Sequence, residues 1–267
     1  MRHSTGAVRN HEFVAGLLSR NRIIIASCIV LITVLAWGYL FHLDHEMPSS
    51  HESMGRLGMT MAAAWTARDF VFTFMMWSVM MVAMMAPAAA PTYLLFSSMS
   101  ASRNDSRAGG MSLSFVTGHL SVWIGFSALA AMVQWTLHRA ASLWPEMSVV
   151  NPRIAGTILV AAGLYQLSPL KSSCLKRCQS PLGFILGNWR DGSKGAFKLG
   201  LRHGVYCLGC CWALMLVLFV VGVMNLAWVA ALATFILVEK LGQAGTWLAR
   251  AGGVMMIGTG LVVFLNL

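Results

Sequence analysis

The sequence predicts an all-α fold, a polytopic bundle of transmembrane helices. Of its 267 residues, 57% are hydrophobic and only 10% are charged. The apolar residues form long runs separated by polar or basic segments, and an α-helix needs about 20 mostly apolar residues to cross a bilayer. This composition excludes an ordinary water-soluble domain and predicts one integral membrane domain over residues 1–267.

Seven apolar runs predict about seven spans. The boundary between the fifth and sixth rests on Gly222 and Met224-Asn225, because residues 205–238 are otherwise almost continuously apolar. One long re-entrant arrangement also fits this stretch. The first run is longer than the apolar part of a signal peptide, so we expect it to remain as the first helix. The predicted spans are 22–41, 70–96, 113–138, 153–168, 203–222, 224–240 and 247–265.

The distribution of lysine and arginine predicts the orientation of the helices. The tail through Arg22 carries a net charge of +3, residues 103–107 carry +1 and residues 168–202 carry +6, whereas residues 44–69 sum to −2. Cytoplasmic loops are enriched in lysine and arginine. The N-terminus is therefore predicted to be cytoplasmic and the C-terminus external. The net charge of +10 reflects this topology, and we expect a lipid bilayer as partner and no nucleic acid.

Two hydrophilic segments stand out between the spans. Residues 42–69 form a predicted external loop that offers imidazole, carboxylate and thioether groups suited to capturing copper, although an ordinary solvated loop explains them equally well. Residues 168–202 form a predicted basic cytoplasmic loop, with a turn and a short amphipathic piece near residues 188–195. The candidate ligands of the external loop are His42, Asp44, His45, Glu46, Met47, His51, Glu52 and Met54.

Five of the six cysteines fall in two short motifs at one predicted membrane face. Cys174 and Cys178 are four residues apart, so they share one face if this segment is helical. Cys207, Cys210 and Cys211 form a CxxC with an added neighbour, predicted to lie at a helix N-terminus where the helix dipole favours thiolate. The cytoplasmic side is reducing, so we expect thiols that bind a soft metal such as Cu(I). Tight packing and thiol redox exchange are alternative roles, and Cys28 is expected to be inert.

Two histidines lie near the cysteine motifs in the predicted topology. His203 precedes Cys207, and His119 enters the third span from the same side. Each one alone is typical of a buried histidine bonded to a neighbouring helix. Beside thiols, both are candidate nitrogen ligands.

The second span is rich in methionine. Met76, Met80 and Met84 form one stripe at 100° per residue, and Met81 and Met85 broaden it. Thioethers bind Cu(I) without deprotonation, so this stripe is a candidate path for the ion. Core packing is the alternative role of these methionines. Pro87 and Pro91 are expected to kink the helix.

Glu239 and Lys240 close the sixth predicted span. Ionisable side chains at a helix end can reach the interface and have no function. Alternatively, the carboxylate turns inward to orient a ligand or relay a proton.

Several of these blocks together resemble a family of bacterial integral membrane proteins described as predicted metal-binding. The resemblance covers residues 70–240 and implies metal binding in the bacterial inner membrane, without naming a metal. It gives no expectation for the first span or for the loop at 42–69. The matching residues are Trp77, 83–87, Pro91, Tyr165-Gln166, Pro169-Leu170-Lys171, Cys174, Cys178, Pro181, Gly204, Tyr206-Cys207, 209–212, Met215, 224–226 and Glu239-Lys240.

The leading hypothesis from the sequence is a Cu(I) transport or delivery protein rather than an enzyme. Copper follows from ligand softness, and another soft metal fits the same side chains. A metallochaperone or a larger membrane complex is the expected protein partner. A membrane thiol or metal-centred oxidoreductase is one alternative, and an accessory subunit whose small residues pack helices closely is another. The predicted metal ligands are Cys174, Cys178, Cys207, Cys210, Cys211, His203, His119, Met76, Met80, Met84 and Met85.

Overall fold

The computed structural model describes residues 22–45, 66–103, 108–139, 151–223, 225–242 and 244–265. Within these ranges the chain forms nine helices and no strand, which confirms the all-α prediction. The helices are α1 (Arg22–His45), α2 (Ala67–Ser102), α3 (Ala108–Arg139), α4 (Pro152–Leu167), α5 (Pro169–Gln179), α6 (Pro181–Asn188), α7 (Gly192–Val221), α8 (Leu226–Leu241) and α9 (Gly245–Leu265).

Each predicted span contains a helix, and five helices in the described part of the chain are long and apolar enough to cross a membrane. These five are α1, α2, α3, α7 and α9. The helices α4 and α8 have 16 residues each, short of the usual spanning length. The count of seven spans and the side of the N-terminus therefore stay predictions.

The fifth and sixth predicted spans are separate helices. α7 ends at Val221, and Gly222 follows with φ of 95°, a left-handed conformation that glycine adopts without steric cost. The side chain of Asn225 then accepts a hydrogen bond from the Trp228 backbone N–H and begins α8. This turn excludes one continuous helix through the two segments.

Most of the basic segment at 168–202 is helical, and its place on the cytoplasmic side stays a prediction. Ser168 caps α5 and is followed by Pro169, and Pro181 occupies the first turn of α6. Proline is favoured at the first position of a helix because it has no N–H to leave unpaired. The rest of the segment forms the first turns of α7, which begins at Gly192 after a short break at 189–191.

The central helix is α7, which packs against α3, α4, α5 and α8. Glycines bring its neighbours close: a Cβ at Gly200 would overlap the carbonyl oxygen of Phe115 on α3. A second close interface joins α4 and α9, where a Cβ at Gly156 would lie 2.7 Å from the carbonyl oxygen of Gly260. Small residues thus allow backbones to touch, as in other apolar helix bundles. In contrast, α1 and α9 present mostly exposed apolar side chains.

Candidate sulfur-rich metal site

Three cysteines lie in the middle of α7, buried in the bundle. Cys207, Cys210 and Cys211 are each 1% exposed and free of disulfides. The helix begins at Gly192, about four turns earlier, so the predicted position at a helix N-terminus was wrong. The dipole effect falls off within the first turn and does not act on these thiols.

Two of the three α7 thiols are turned toward the backbone of their own helix. The Sγ atoms of Cys210 and Cys211 donate to the Cys207 carbonyl oxygen at 3.0 and 2.9 Å. In these hydrogen bonds each of the two thiols donates its proton to the carbonyl oxygen. Deprotonation would remove both donors and free the two sulfurs for a ligand.

The two cysteines of α5 face the same region from a second helix. Cys174 and Cys178 are partly buried against the core that contains the α7 cysteines. Gly209 makes room for Cys174, since a Cβ at position 209 would lie 3.0 Å from the Cys174 Sγ. An interaction with Cys210, together with burial, raises the pKa of Cys178, so this thiol is protonated at neutral pH.

A lysine reaches the thiols from a third helix. The Nζ of Lys240 on α8 lies 2.9 Å from the Cys207 Sγ and 3.7 Å from the Met85 Sδ, and the residue is 5% exposed. Its neighbour Glu239 also turns inward and forms a buried ion pair with Lys171 of α5 at 2.8 Å. Both side chains are buried, so the carboxylate turns inward, and its role in orienting a ligand or relaying a proton stays a prediction.

The two candidate histidines contact each other. The Nδ1 atoms of His119 on α3 and His203 on α7 are 2.8 Å apart, and both residues are buried. The His119 ring lies beside Cys207 and makes a T-shaped contact with the ring of Tyr93. The histidine pair therefore borders the thiols.

The methionine stripe of α2 is buried along its whole length. Met76, Met80, Met84 and the flanking Met81 and Met85 are all 0–2% exposed. The helix continues through Pro87 and Pro91 to Ser102. The Lys240 contact places Met85 at the thiols, whereas Met76 lies about two and a half helical turns away along the same helix. The stripe thus leads along α2 toward the cysteines.

In the segment at 42–69, His42, Asp44 and His45 belong to the last turn of α1, and Asp69 belongs to the first turn of α2. The candidate ligands Glu46, Met47, His51, Glu52 and Met54 lie outside the described residues.

The part of the chain that matches a known family includes the whole site. The chain matches the PpoB2 family, described as "Copper chaperone", over residues 74–263. The chain belongs to this copper-chaperone family. The description names the metal that the sequence alone inferred from ligand softness. No curated protein and no solved structure matches the chain.

The matched region of this copper-chaperone family member begins within α2 and ends within α9. It contains all eleven Cys, His and Met residues predicted as metal ligands of the bundle and leaves out α1 and the candidate ligands at 42–54. Within the described part of the chain, no three His, Cys, Asp or Glu side chains converge as a ready-made metal site. Binding by the cysteines therefore requires the thiols to leave the Cys207 carbonyl and turn toward a common ion.

Sequence reasoning missed Lys240 and Lys171 as parts of this region. The sequence does place both lysines beside apolar segments. Ionisable side chains in such positions are costly to bury and usually face a partner inside the bundle. Only the packing of α8 against α2, α5 and α7 identifies the partners.

Proposed function

We propose that this member of the copper-chaperone family is a membrane-embedded carrier that holds Cu(I) as cargo between thiols. The cluster formed by Cys207, Cys210, Cys211 and Cys178 is the proposed binding site, with Cys174 beside it. Met85 and His119 border the site as additional soft and nitrogen ligands. Thiolate and thioether sulfur favour Cu(I) over harder cations.

The observation that carries this proposal is the burial of sulfur from three helices around one lysine. Cys207 on α7 and Met85 on α2 both contact Lys240, and Cys178 of α5 faces Cys210. A site closed to water protects Cu(I) from oxidation and from competing ligands. The family description independently supports copper as the metal.

The surroundings of the site support a membrane location. Five helices have spanning length, and large apolar side chains are exposed, among them Trp247 at 69% and Met255 at 71%. Exposed apolar surface of this extent is typical of contact with lipid. We propose a multi-pass protein of the bacterial inner membrane with seven spans, in which α4 and α8 also cross, so that the N-terminus and α5 lie on the cytoplasmic side.

The methionine stripe is the proposed entry path, running inward from the external end of α2 to Met85. Its weak thioether ligands pass the ion to stronger thiolates, so delivery runs toward the cytoplasmic side. A soluble metallochaperone or a copper-requiring membrane complex would receive the cargo there.

Replacing Cys207, Cys210 and Cys211 with serine is expected to remove most of the copper from purified, detergent-solubilised protein. Serine keeps the hydrogen bonds to the Cys207 carbonyl but binds Cu(I) poorly. Elemental analysis after anaerobic loading with Cu(I) measures copper per chain. Cys28→Ser, at an exposed position on α1, is the matched control. Equal copper content in the triple variant and the control would contradict the thiol site.

Replacing Met76, Met80 and Met84 with leucine is expected to slow copper entry severalfold without emptying the thiol site at equilibrium. Met-to-Leu changes nearly conserve volume, so the fold should tolerate them. The rate of Cu(I) uptake into reconstituted vesicles and the final copper content are measured together. Met75→Leu on the same helix is the control, because Met75 is 58% exposed. An unchanged rate in the triple variant would assign the stripe to packing alone.

A further inference from the structure

Lys240 is a buried ammonium whose hydrogen-bonding partners are both sulfur atoms, Cys207 Sγ and Met85 Sδ. In the described part of the chain, the ion pairs are Lys171 with Glu239 and Arg103 with Asp191. The adjacent carboxylate of Glu239 is thus already neutralised by Lys171. No described carboxylate balances the charge of Lys240.

A buried charge without a counter-charge is costly, so the region around Lys240 requires one negative charge nearby. The Nζ of Lys240 donates to the Cys207 Sγ at 2.9 Å and to the Met85 Sδ at 3.7 Å, and of these two sulfurs only that of the cysteine can become an anion. A metal complex formed with that sulfur can therefore supply the missing negative charge.

The arrival of a metal changes this balance in a way that depends on the charge of the ion. A monovalent ion held by two thiolates carries one net negative charge, which the ammonium of Lys240 neutralises. A divalent ion held by the same two thiolates is neutral by itself, and Lys240 then leaves one uncompensated positive charge. In a low-dielectric interior this difference is large.

We propose that Lys240 is the counter-ion of a two-thiolate complex and makes the site selective for monovalent soft ions. The two thiolates are Cys207 and one of its helical neighbours, Cys210 or Cys211. This inference rests on the proposed function, since it requires the cysteines to bind the cargo. Beyond the proposed function, it specifies the charge of the preferred ion and names Lys240 as the residue that determines this preference.

Ag(I) and Hg(II) test the inference, because both favour linear coordination by two thiolates. They differ in charge, since Ag(I) is monovalent and Hg(II) is divalent. Their affinities for the purified full chain are measured by competition with a small dithiol, in the wild type and in Lys240→Met. The variant should lose affinity for Ag(I) while keeping or gaining affinity for Hg(II). The Ag(I)-to-Hg(II) affinity ratio should fall by at least about tenfold.

Two further variants complete the comparison. Lys240→Arg keeps the charge and should keep the ratio close to that of the wild type, and Lys198→Met, at an exposed position on α7, should not change it. If Lys240→Met does not purify as folded protein, Lys240→Gln removes the same charge and serves the same measurement.

Equal losses of affinity for both ions in the neutral variants would overturn the counter-ion role and make Lys240 a packing residue. An unchanged ratio would overturn it as well. Failure of the wild-type chain to bind Ag(I) through its cysteines would instead overturn the proposed function, and with it this inference. The serine variants of Cys207, Cys210 and Cys211 distinguish that outcome from a failure of Lys240 alone.

Discussion

Gly200→Val is expected to destabilise the bundle by at least about 3 kcal/mol, the upper end of the usual cost of overpacking. A Cβ at this position overlaps the backbone carbonyl of Phe115, which no change of rotamer can relieve. The helices α3 and α7 would have to move apart. His203 lies one turn after Gly200, so its contact with His119 would be lost together with the close packing.

Thermal unfolding of the detergent-solubilised protein measures this effect. Gly125→Val is the matched control, because Gly125 lies in α3, one of the two helices that meet at Gly200, and a Cβ there meets no atom within 4 Å. Both substitutions place the same β-branched residue in a helix, so the difference between them isolates the close approach of the two helices. Similar unfolding temperatures for the two variants would show that α3 and α7 do not touch at Gly200.

The long helices could be predicted from the sequence because their signal is local. A run of apolar residues long enough to cross a bilayer can hardly fold otherwise, since helix formation satisfies its backbone groups internally. The ends of these helices were less predictable. α7 extends back to Gly192 because Lys194 and Lys198 are exposed while Ala196 and Leu199 are buried, an amphipathic pattern that average apolarity conceals.

The short helices α5 and α6 were missed for a related reason. The composition of α5 is polar and α6 has only 8 residues, so neither resembled a span, although Ser168-Pro169 and Ser180-Pro181 are typical of the start of a helix. These capping residues would have predicted both helices within the segment at 168–202.

The candidate site could be predicted only in part. Spacing along the chain places Cys207, Cys210 and Cys211 on one side of α7, because residues three and four apart are neighbours on a helix. It cannot say that Cys178 faces Cys210 or that Lys240 contacts Cys207, because these contacts join helices that are distant in sequence. They depend on how α5, α7 and α8 pack, which no local pattern records.

Glu239→Gln is expected to destabilise the protein by about 3–5 kcal/mol, the cost of leaving one member of a buried ion pair without its partner. Glu239 and Lys171 are each 1% exposed, and the Lys171 Nζ lies 2.8 and 3.0 Å from the two carboxylate oxygens. Gln166 donates a further hydrogen bond to the same carboxylate. The amide keeps the shape of the side chain but leaves the ammonium of Lys171 uncompensated.

Equilibrium or thermal unfolding in detergent measures this loss, and Asp191→Asn is the control. Asp191 pairs with Arg103 at 3.8 Å in an exposed position, where such a pair contributes at most about 1 kcal/mol. A similar cost for the two substitutions would mean that water reaches Glu239.

The double variant Lys171→Met with Glu239→Gln decides whether the uncompensated charge causes the loss of stability in Glu239→Gln. Removing both charges should recover most of the stability, because replacing a buried pair by neutral groups of similar size is often close to neutral. The recovered protein should also retain copper, since the neutral side chains still pack α5 against α8 and leave Cys178 and Lys240 in position around the α7 thiols. If the double variant is as unstable as Glu239→Gln, the hydrogen bonds of this pair, rather than its charges, join the two helices.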